Sequence, residues 1–258
     1  MSQKRFADKT ILITGGAGGL GAAIAEEAVN QGARVGIMDT NQGAIESILK
    51  KLQAQGAQVD GRVVDVRDGT AVREAIDSLA QSLSGVDILI AAAGGSLGTP
   101  RDMVDISDDD LDLVIDVNVK GTYYCARAAI EHMKKNNCGS IVTFSSIGGR
   151  SASPVTGVPY AASKAAILGL TRRLAKEVGE YGIRVNAIAP GLFLTDRLAG
   201  MFDAMTEVDR KDVLSAIPLG RMPELRECVE PVLFLASDES SYITGTVLDV
   251  NGGRLMPN

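Results

Sequence analysis

Short apolar runs rich in Val and Ile recur along this chain, at residues 10–14, 34–38, 58–64, 86–92, 140–144, 184–189 and 246–250. Most of them are continuously apolar instead of alternating, as strands are when helices cover both faces of a parallel sheet. Helix-length segments lie between them, at 22–31, 68–83, 108–118, 121–135 and 159–180. This alternation predicts an α/β fold, a Rossmann-type doubly wound parallel sheet of about seven strands with right-handed crossovers and helices on both faces. No internal repeat, low-complexity tract or Pro/Ser-rich linker divides the sequence, so 1–258 is read as a single domain. Residues 192–216 differ from the rest. They are mixed, Met-rich and weakly periodic, follow Pro190-Gly191, and are expected to form a flap of one or two short helices.

Composition excludes several function classes. With 45% hydrophobic and 22% charged residues, the chain has the make-up of an ordinary soluble globular protein. A net charge of −6 without a basic stripe argues against nucleic acid. No apolar stretch reaches membrane-spanning length, and the opening residues 1–9 carry no long apolar signal region, so no membrane partner and a cytoplasmic location are expected. Cys125, Cys138 and Cys228 are too scattered for a disulfide framework or a Cys-rich zinc site, and no metal is expected. His132 is the sole histidine, sits among charged neighbours, and reads as a solvated helix residue.

The first run ends in Thr14-Gly15-Gly16-Ala17-Gly18-Gly19-Leu20-Gly21, where a helical pattern begins. Glycines there permit a tight turn and let backbone N–H groups approach a pyrophosphate, to which the helix N-terminus adds partial positive charge. Two spacings overlap: Gly16, Gly18 and Gly21 fit G-x-G-x-x-G, while Gly15, Gly19 and Gly21 fit G-x-x-x-G-x-G. The second run ends at Asp39, about 20 residues on, where a carboxylate can accept hydrogen bonds from the adenosine ribose. Asp39 could instead cap the following helix, but Thr40 or Asn41 can do that. The dinucleotide this implies is NAD.

The fifth run leads into Ser145-Ser146, and Tyr160 and Lys164 follow four residues apart, on one face of a helix. Free Tyr, with a pKa of about 10, is a poor base at neutral pH. A nearby cation favours the phenolate, which could then exchange a proton with a substrate oxygen. A serine at the strand tip could hydrogen-bond the same oxygen.

Taken together, these residues resemble the short-chain dehydrogenase/reductase family over essentially the whole length. The matching features are T-G-x-x-x-G-x-G at 14–21, Asp39, Asp65-Val66 after the third run, Asn118, Ser146, Tyr160 and Lys164, and Pro190-Gly191 with Thr195. The resemblance implies that Tyr160 is the general acid/base, that Ser146 polarises the substrate oxygen, and that Lys164 binds the nicotinamide ribose and lowers the Tyr160 pKa. It also implies that Asn118 holds a relay water, that Gly15, Gly19, Leu20, Gly21, Asp65, Val66, Ala93 and Gly94 line the adenosine half of an NAD site, and that Pro190, Gly191 and Thr195 hold its nicotinamide end. The family commonly assembles as homotetramers or homodimers, and the wide apolar surface of the 159–180 helix suits a second subunit. Three departures stand out: Ala91-Ala92-Ala93-Gly94 replaces Asn-Asn-Ala-Gly, the Ser146–Tyr160 interval is one residue longer, and Asn251-Gly252-Gly253 replaces Asp-Gly-Gly.

The leading expectation is an NAD-dependent oxidoreductase interconverting a small-molecule secondary alcohol and its ketone. A reductase of acyl-carrier-linked β-keto substrates is the first alternative, and a non-catalytic dinucleotide-binding protein the second. A nucleotide-sugar epimerase is disfavoured because its extra substrate domain is missing. The substrate pocket is expected from 95–98, 147–158 and the flap, with Arg150 and Arg197 on its margins.

Overall fold

A computed structural model of the protein describes residues 4–152, 156–193, 202 and 206–256. Among these, seven strands form one sheet in the order β3-β2-β1-β4-β5-β6-β7, with every neighbouring pair parallel. The strands are β1 (Thr10–Thr14), β2 (Arg34–Asp39), β3 (Val59–Val63), β4 (Ile88–Ala91), β5 (Gly139–Phe144), β6 (Ile183–Pro190) and β7 (Val247–Val250). The main helices are α1 (Gly19–Asn30), α2 (Gln42–Gln53), α3 (Gly69–Ser82), α4 (Asp108–Ile115), α5 (Thr122–Asn136), α6 (Val158–Val178), α7 (Glu207–Ser215) and α8 (Arg226–Ala236).

Apolar side chains alternate through the central strands onto two cores. Ile11, Ile13, Val35 and Ile37 join Ile24, Ile45, Val232 and Leu233 on one side. Leu12, Met38, Leu89 and Ile141 join Ile76, Leu79, Ala126 and Ala129 on the other. Helices α1, α2 and α8 therefore cover one face of the sheet, and α3 and α5 the other. Sandwiched between the two layers, β1 is buried at all five positions, which is why its sequence shows no polar alternation.

Two helices, α2 and α8, are additional to those the apolar pattern picks out. Helix α2 is capped by Asn41, whose Oδ1 accepts the Ala44 N–H at 3.0 Å, and it buries Ile45, Ile48 and Leu52. Helix α8 contains Pro231 yet buries six residues, including Cys228 and Leu233. The segment expected as one helix over 108–118 also differs. It is α-helical to Ile115 and then π-helical over Asp116–Gly121, so Asn118 sits in a widened turn. Such insertions accompany functional sites. The expected flap is described only as Leu192, Phe193, residue 202 and α7 with its flanks, and Thr195 and Arg197 lie outside the described residues. No described helix is long and apolar enough to cross a membrane.

Candidate active site

In a doubly wound sheet, ligands bind beyond the strand C-termini, where the strand order reverses. Here that point lies between β1 and β4. A cleft of about 340 Å3 opens there, lined by Gly15, Gly19, Leu20, Gly21, Ala93, Gly94, Ser146, Tyr160, Lys164, Pro190 and Gly191, all singled out from sequence. Gly18, Ala92, Gly95, Phe144, Ser145 and Phe193 complete it.

The geometry decides between the two glycine spacings. Gly15 and Gly19 have φ of 65° and 52°, the left-handed region that side chains rarely adopt. A Cβ at Gly21 would lie 2.1 Å from the Gly15 carbonyl oxygen. Gly18 is extended and a Cβ there would meet nothing within 4 Å, so all three glycines of the Gly15, Gly19, Gly21 spacing are constrained while Gly18 of the other is not; Gly16 is also tight, its Cβ falling 2.9 Å from the Ile13 carbonyl oxygen. The turn is tied to its surroundings from two sides. The Gly15 N–H donates to the Met38 carbonyl at 2.8 Å, and the Thr14 hydroxyl accepts the Ala93 N–H at 3.1 Å. That second bond holds the β4 exit in place where the Ala-Ala-Ala-Gly sequence has no side-chain amide.

Asp39 spans the end of β2. Its Oδ2 accepts the Ala17 N–H of the glycine turn at 3.2 Å and its Oδ1 the Asn41 N–H at 3.1 Å. The capping of α2 falls to Asn41, leaving the Asp39 carboxylate fixed against the turn. At the end of β3, both Nε and Nη2 of Arg67 donate to Asp65 Oδ2, at 2.8 and 2.6 Å. This holds the Asp65 carboxyl below its ordinary range. Val66 is buried against Gly121, where a Cβ would come within 2.6 Å of its Cγ2.

Asn118, Ser163 and Lys164 form the buried polar floor beneath the cleft. Asn118 Oδ1 accepts the Gly95 N–H at 2.9 Å, and its Nδ2 donates to the Gly95 carbonyl and to Ser163 Oγ, each at 3.0 Å. Ser163 Oγ donates in turn to the Tyr160 carbonyl at 2.8 Å. Asn118 thereby fastens the β4 exit loop to α6 between Tyr160 and Lys164. Its own carbonyl accepts the Thr122 hydroxyl at 2.7 Å. Gly94 is obligatory here, because a Cβ would lie 2.1 Å from Asn118 Oδ1.

Lys164 Nζ donates to the Phe144 carbonyl at 2.8 Å and lies 5.8 Å from the Tyr160 ring centroid. Ser145, overlooked in the sequence beside Ser146, donates from Oγ to the Lys164 carbonyl at 2.8 Å and braces α6 against β5. Burial pushes Lys164 down to about 8. Burial also raises Tyr160, with the Ser146 hydroxyl pulling the other way through a hydrogen bond. Lys164 spends its hydrogen bond on Phe144, and the lowering of the Tyr160 pKa by Lys164 that the resemblance implies belongs to the proposal below. At neutral pH the phenol keeps its proton.

The buried ammonium carries a measurable consequence. A drop from 10.5 to about 8 costs the charged form about 3 kcal/mol. Replacing Lys164 by Met removes that cost but also loses a charge-assisted hydrogen bond to the Phe144 carbonyl worth about 1.5–3 kcal/mol. The two nearly cancel, so Lys164→Met should leave Tm at pH 7 within about 5 °C of wild type in differential scanning calorimetry while turnover collapses. Between pH 8 and 10.5 the unfolded chain holds a proton that the folded one has shed, so wild-type stability rises with pH relative to the variant.

Other sequence candidates resolve differently. Arg150 pairs with Asp249 on β7, so it is neither simply solvated nor free for a substrate. His132 is not merely solvated: its Nε2 lies 2.6 Å from Asp77 Oδ1, linking α5 to α3. Cys125 and Cys228 are buried and pushed up to about 12, hence inert. Asn251 both donates to the Leu255 carbonyl at 3.0 Å and accepts its N–H at 3.3 Å, a pairing the commoner aspartate could not complete. Part of the longer Ser146–Tyr160 loop, 153–155, lies outside the described residues. Among the described residues no His, Cys, Asp or Glu cluster could hold a metal ion.

Comparison with known proteins places the chain among relatives of similar length. Residues 15–254 match the family model described as enoyl-(acyl carrier protein) reductase. The chain is 38% identical over 254 residues to the 3-oxoacyl-(acyl-carrier-protein) reductase FabG of Thermotoga maritima, covering 98% of this chain and 100% of that one. It is 38% identical over 253 residues to y4mP of Sinorhizobium fredii, an uncharacterised short-chain type dehydrogenase/reductase, covering 96% and 98%. A crystal structure of a 3-oxoacyl-(acyl-carrier protein) reductase with bound NAD from Brucella melitensis superimposes with a TM-score of 0.89 at 34% identity, covering 99% and 94%.

Proposed function

Because the chain belongs to the short-chain dehydrogenase/reductase family of oxidoreductases, we propose that it is an NAD(H)-dependent enzyme interconverting a secondary alcohol and its ketone, with Tyr160 as the general acid/base. One observation carries this reading: the cleft lined by the glycine turn is also lined by Ser146, Tyr160 and Lys164. The dinucleotide fits the residues present. Gly15, Gly19 and Gly21 offer a turn open enough for a pyrophosphate, and α1 begins there with its positive end. In this reading Asp39 takes the ribose hydroxyls, Asp65 and Val66 the adenine end, and Pro190 and Gly191, which line the cleft with Lys164, the nicotinamide end together with Thr195. When bound, the nicotinamide gives or takes the hydride.

The protein's own part is proton transfer and orientation. Ser146 donates to the substrate oxygen and Tyr160, protonated at neutral pH, delivers a proton to it as the ketone is reduced. In alcohol oxidation the same phenol must first be deprotonated, so the oxidation rate rises with pH. Lys164, tied to Phe144, would hold the nicotinamide ribose, and Asn118 fixes the loop leaving β4 against α6. The relay water assigned to Asn118 belongs to this proposal. In an absorbance assay of NADH with a panel of ketones, and of NAD with the matching alcohols, at least one pair should turn over. A protein that binds NADH and turns over none of them would contradict the reading.

A β-keto thioester reductase is the second reading, favoured by the similarity to enzymes so named. Including an acetoacetyl thioester in the panel separates the two, since this reading requires it to outpace every simple ketone.

We also propose a homodimer or homotetramer. Ala162, Ala165, Ala166 and Gly169 are exposed along α6, so the helix is not wholly covered by its own chain. Light scattering should give a multiple of 27.0 kDa, and a monomer mass at micromolar concentration would defeat this.

A further inference from the structure

One residue holds the carboxylate beyond the end of β3 through three hydrogen bonds. Asp65 Oδ1 accepts the Arg67 N–H at 2.9 Å, and Oδ2 accepts Nε and Nη2 of the same residue at 2.8 and 2.6 Å. An ionised carboxylate has about four acceptor positions, two on each oxygen. Arg67 fills three of them, and the one left is on Oδ1. Asp116 of the π-helical segment, itself paired with Lys120 at 2.6 Å, adds a second carboxylate that attracts the same guanidinium.

The turn after β3 does not need this arrangement. Its backbone is closed by the Asp68 N–H, which donates to the Asp65 carbonyl at 3.1 Å. Helix α3 is capped by Asp68, whose Oδ1 accepts the Thr70 and Ala71 N–H groups at 2.9 and 3.0 Å. The Asp65 and Arg67 side chains are 38% and 48% exposed, and an ion pair that open to water contributes little to stability. What the pair does do is order an acceptor at the ligand end of the sheet. One residue before Asp65, the Val64 N–H donates to the Asp39 carbonyl at 2.9 Å. That bond sets Asp65 on the same sheet edge as Asp39, whose carboxylate is tied to the glycine turn.

We infer that Arg67 is a positioning residue for base recognition: it fixes Asp65 so that the single free acceptor position on Oδ1 takes the exocyclic amine of adenine and rejects a purine with a carbonyl oxygen there. The inference rests on the proposed dinucleotide site. The probes are NADH and deamino-NADH, in which oxygen replaces the adenine amine; both carry the same nicotinamide, so fluorescence titration reads the affinity of each without turnover. Wild type should bind NADH at least about tenfold more tightly than the analogue, as a charge-assisted hydrogen bond gives way to an oxygen facing a carboxylate. In Arg67→Ala the ratio should fall to about twofold, because the freed carboxylate turns to water. Removing Arg67 from Asp65→Ala should change the ratio by less than about twofold, since Arg67 acts only through Asp65. Tm of Arg67→Ala should stay within about 3 °C of wild type. A ratio that remains tenfold in Arg67→Ala would overturn the inference, and so would a large loss of Tm, which would assign Arg67 to the turn. A further fall on removing Arg67 from Asp65→Ala would overturn it too, by putting Arg67 on the base itself. Wild type that binds NADH and its analogue equally contradicts the inference and leaves the oxidoreductase reading standing. Wild type that binds neither brings down that reading.

Discussion

Tyr160→Phe should reduce turnover by about 10^3-fold or more while leaving NADH affinity within about twofold. The substitution removes one hydroxyl and keeps the ring, so packing against α6 and the cleft wall survives. What disappears is the proton that the proposed mechanism assigns to Tyr160 and the hydrogen bond it shares with Ser146. Burial is the larger influence on this phenol, and it favours the neutral form. In the free protein, spectrophotometric titration should therefore find one tyrosine ionising above the ordinary range, and it should be missing from Tyr160→Phe. A variant that keeps a tenth of wild-type turnover would move the proton transfer to another group.

The second large effect concerns the choice between NAD and NADP. The Asp39 carboxylate cannot swing away freely, because one oxygen is held by Ala17 and the other by Asn41. A 2′-phosphate would bring nearly two negative charges toward it. At about 4 Å in a partly screened site, each unit of like charge costs on the order of 4 kcal/mol. Neither the glycine turn nor residues 40–47 contain Arg or Lys. Arg67, on the neighbouring strand end, is committed to Asp65. Even if rearrangement relieves most of the repulsion, about 1.4 kcal/mol suffices for tenfold discrimination. kcat/KM with NADH should therefore exceed that with NADPH by at least about tenfold. Asp39→Ala combined with Thr40→Arg should narrow or reverse the ratio, since it removes the repulsion and supplies a cation. Equal wild-type efficiency with the two cofactors would show that Asp39 only stiffens the turn.

Much of this site is written locally in the chain. A strand ending in glycines, an acid closing the next strand, and a Tyr/Lys pair on one helix face each need only a few consecutive residues to be recognised. The parts that escape the sequence depend on neighbours brought together by folding. Ser145 looks like a twin of Ser146 until its hydroxyl is seen on the Lys164 carbonyl. Phe193 lines the cleft two residues beyond Gly191, which packs so closely on Asn251 that a Cβ would lie 2.9 Å from its Cα. Helix α2 did carry a periodic signal in Ile45, Ile48 and Leu52, but Gly43 in its first turn weakens it. The burial of Tyr160 and the acceptor that Lys164 finds were beyond reach, because both depend on residues that only folding brings around α6.

The central claim is that this cleft moves a hydride between a nicotinamide and a carbonyl carbon while Tyr160 moves the proton. It is tested most directly with NADH deuterated at the transferable position and the ketone that the panel selects. Mass spectrometry and NMR of the product should find one deuterium, bonded to the carbinol carbon, at a rate that falls with Tyr160→Phe and is at least about tenfold slower from labelled NADPH. An alcohol product without deuterium at that carbon, or label transferred equally well by Tyr160→Phe, would contradict it.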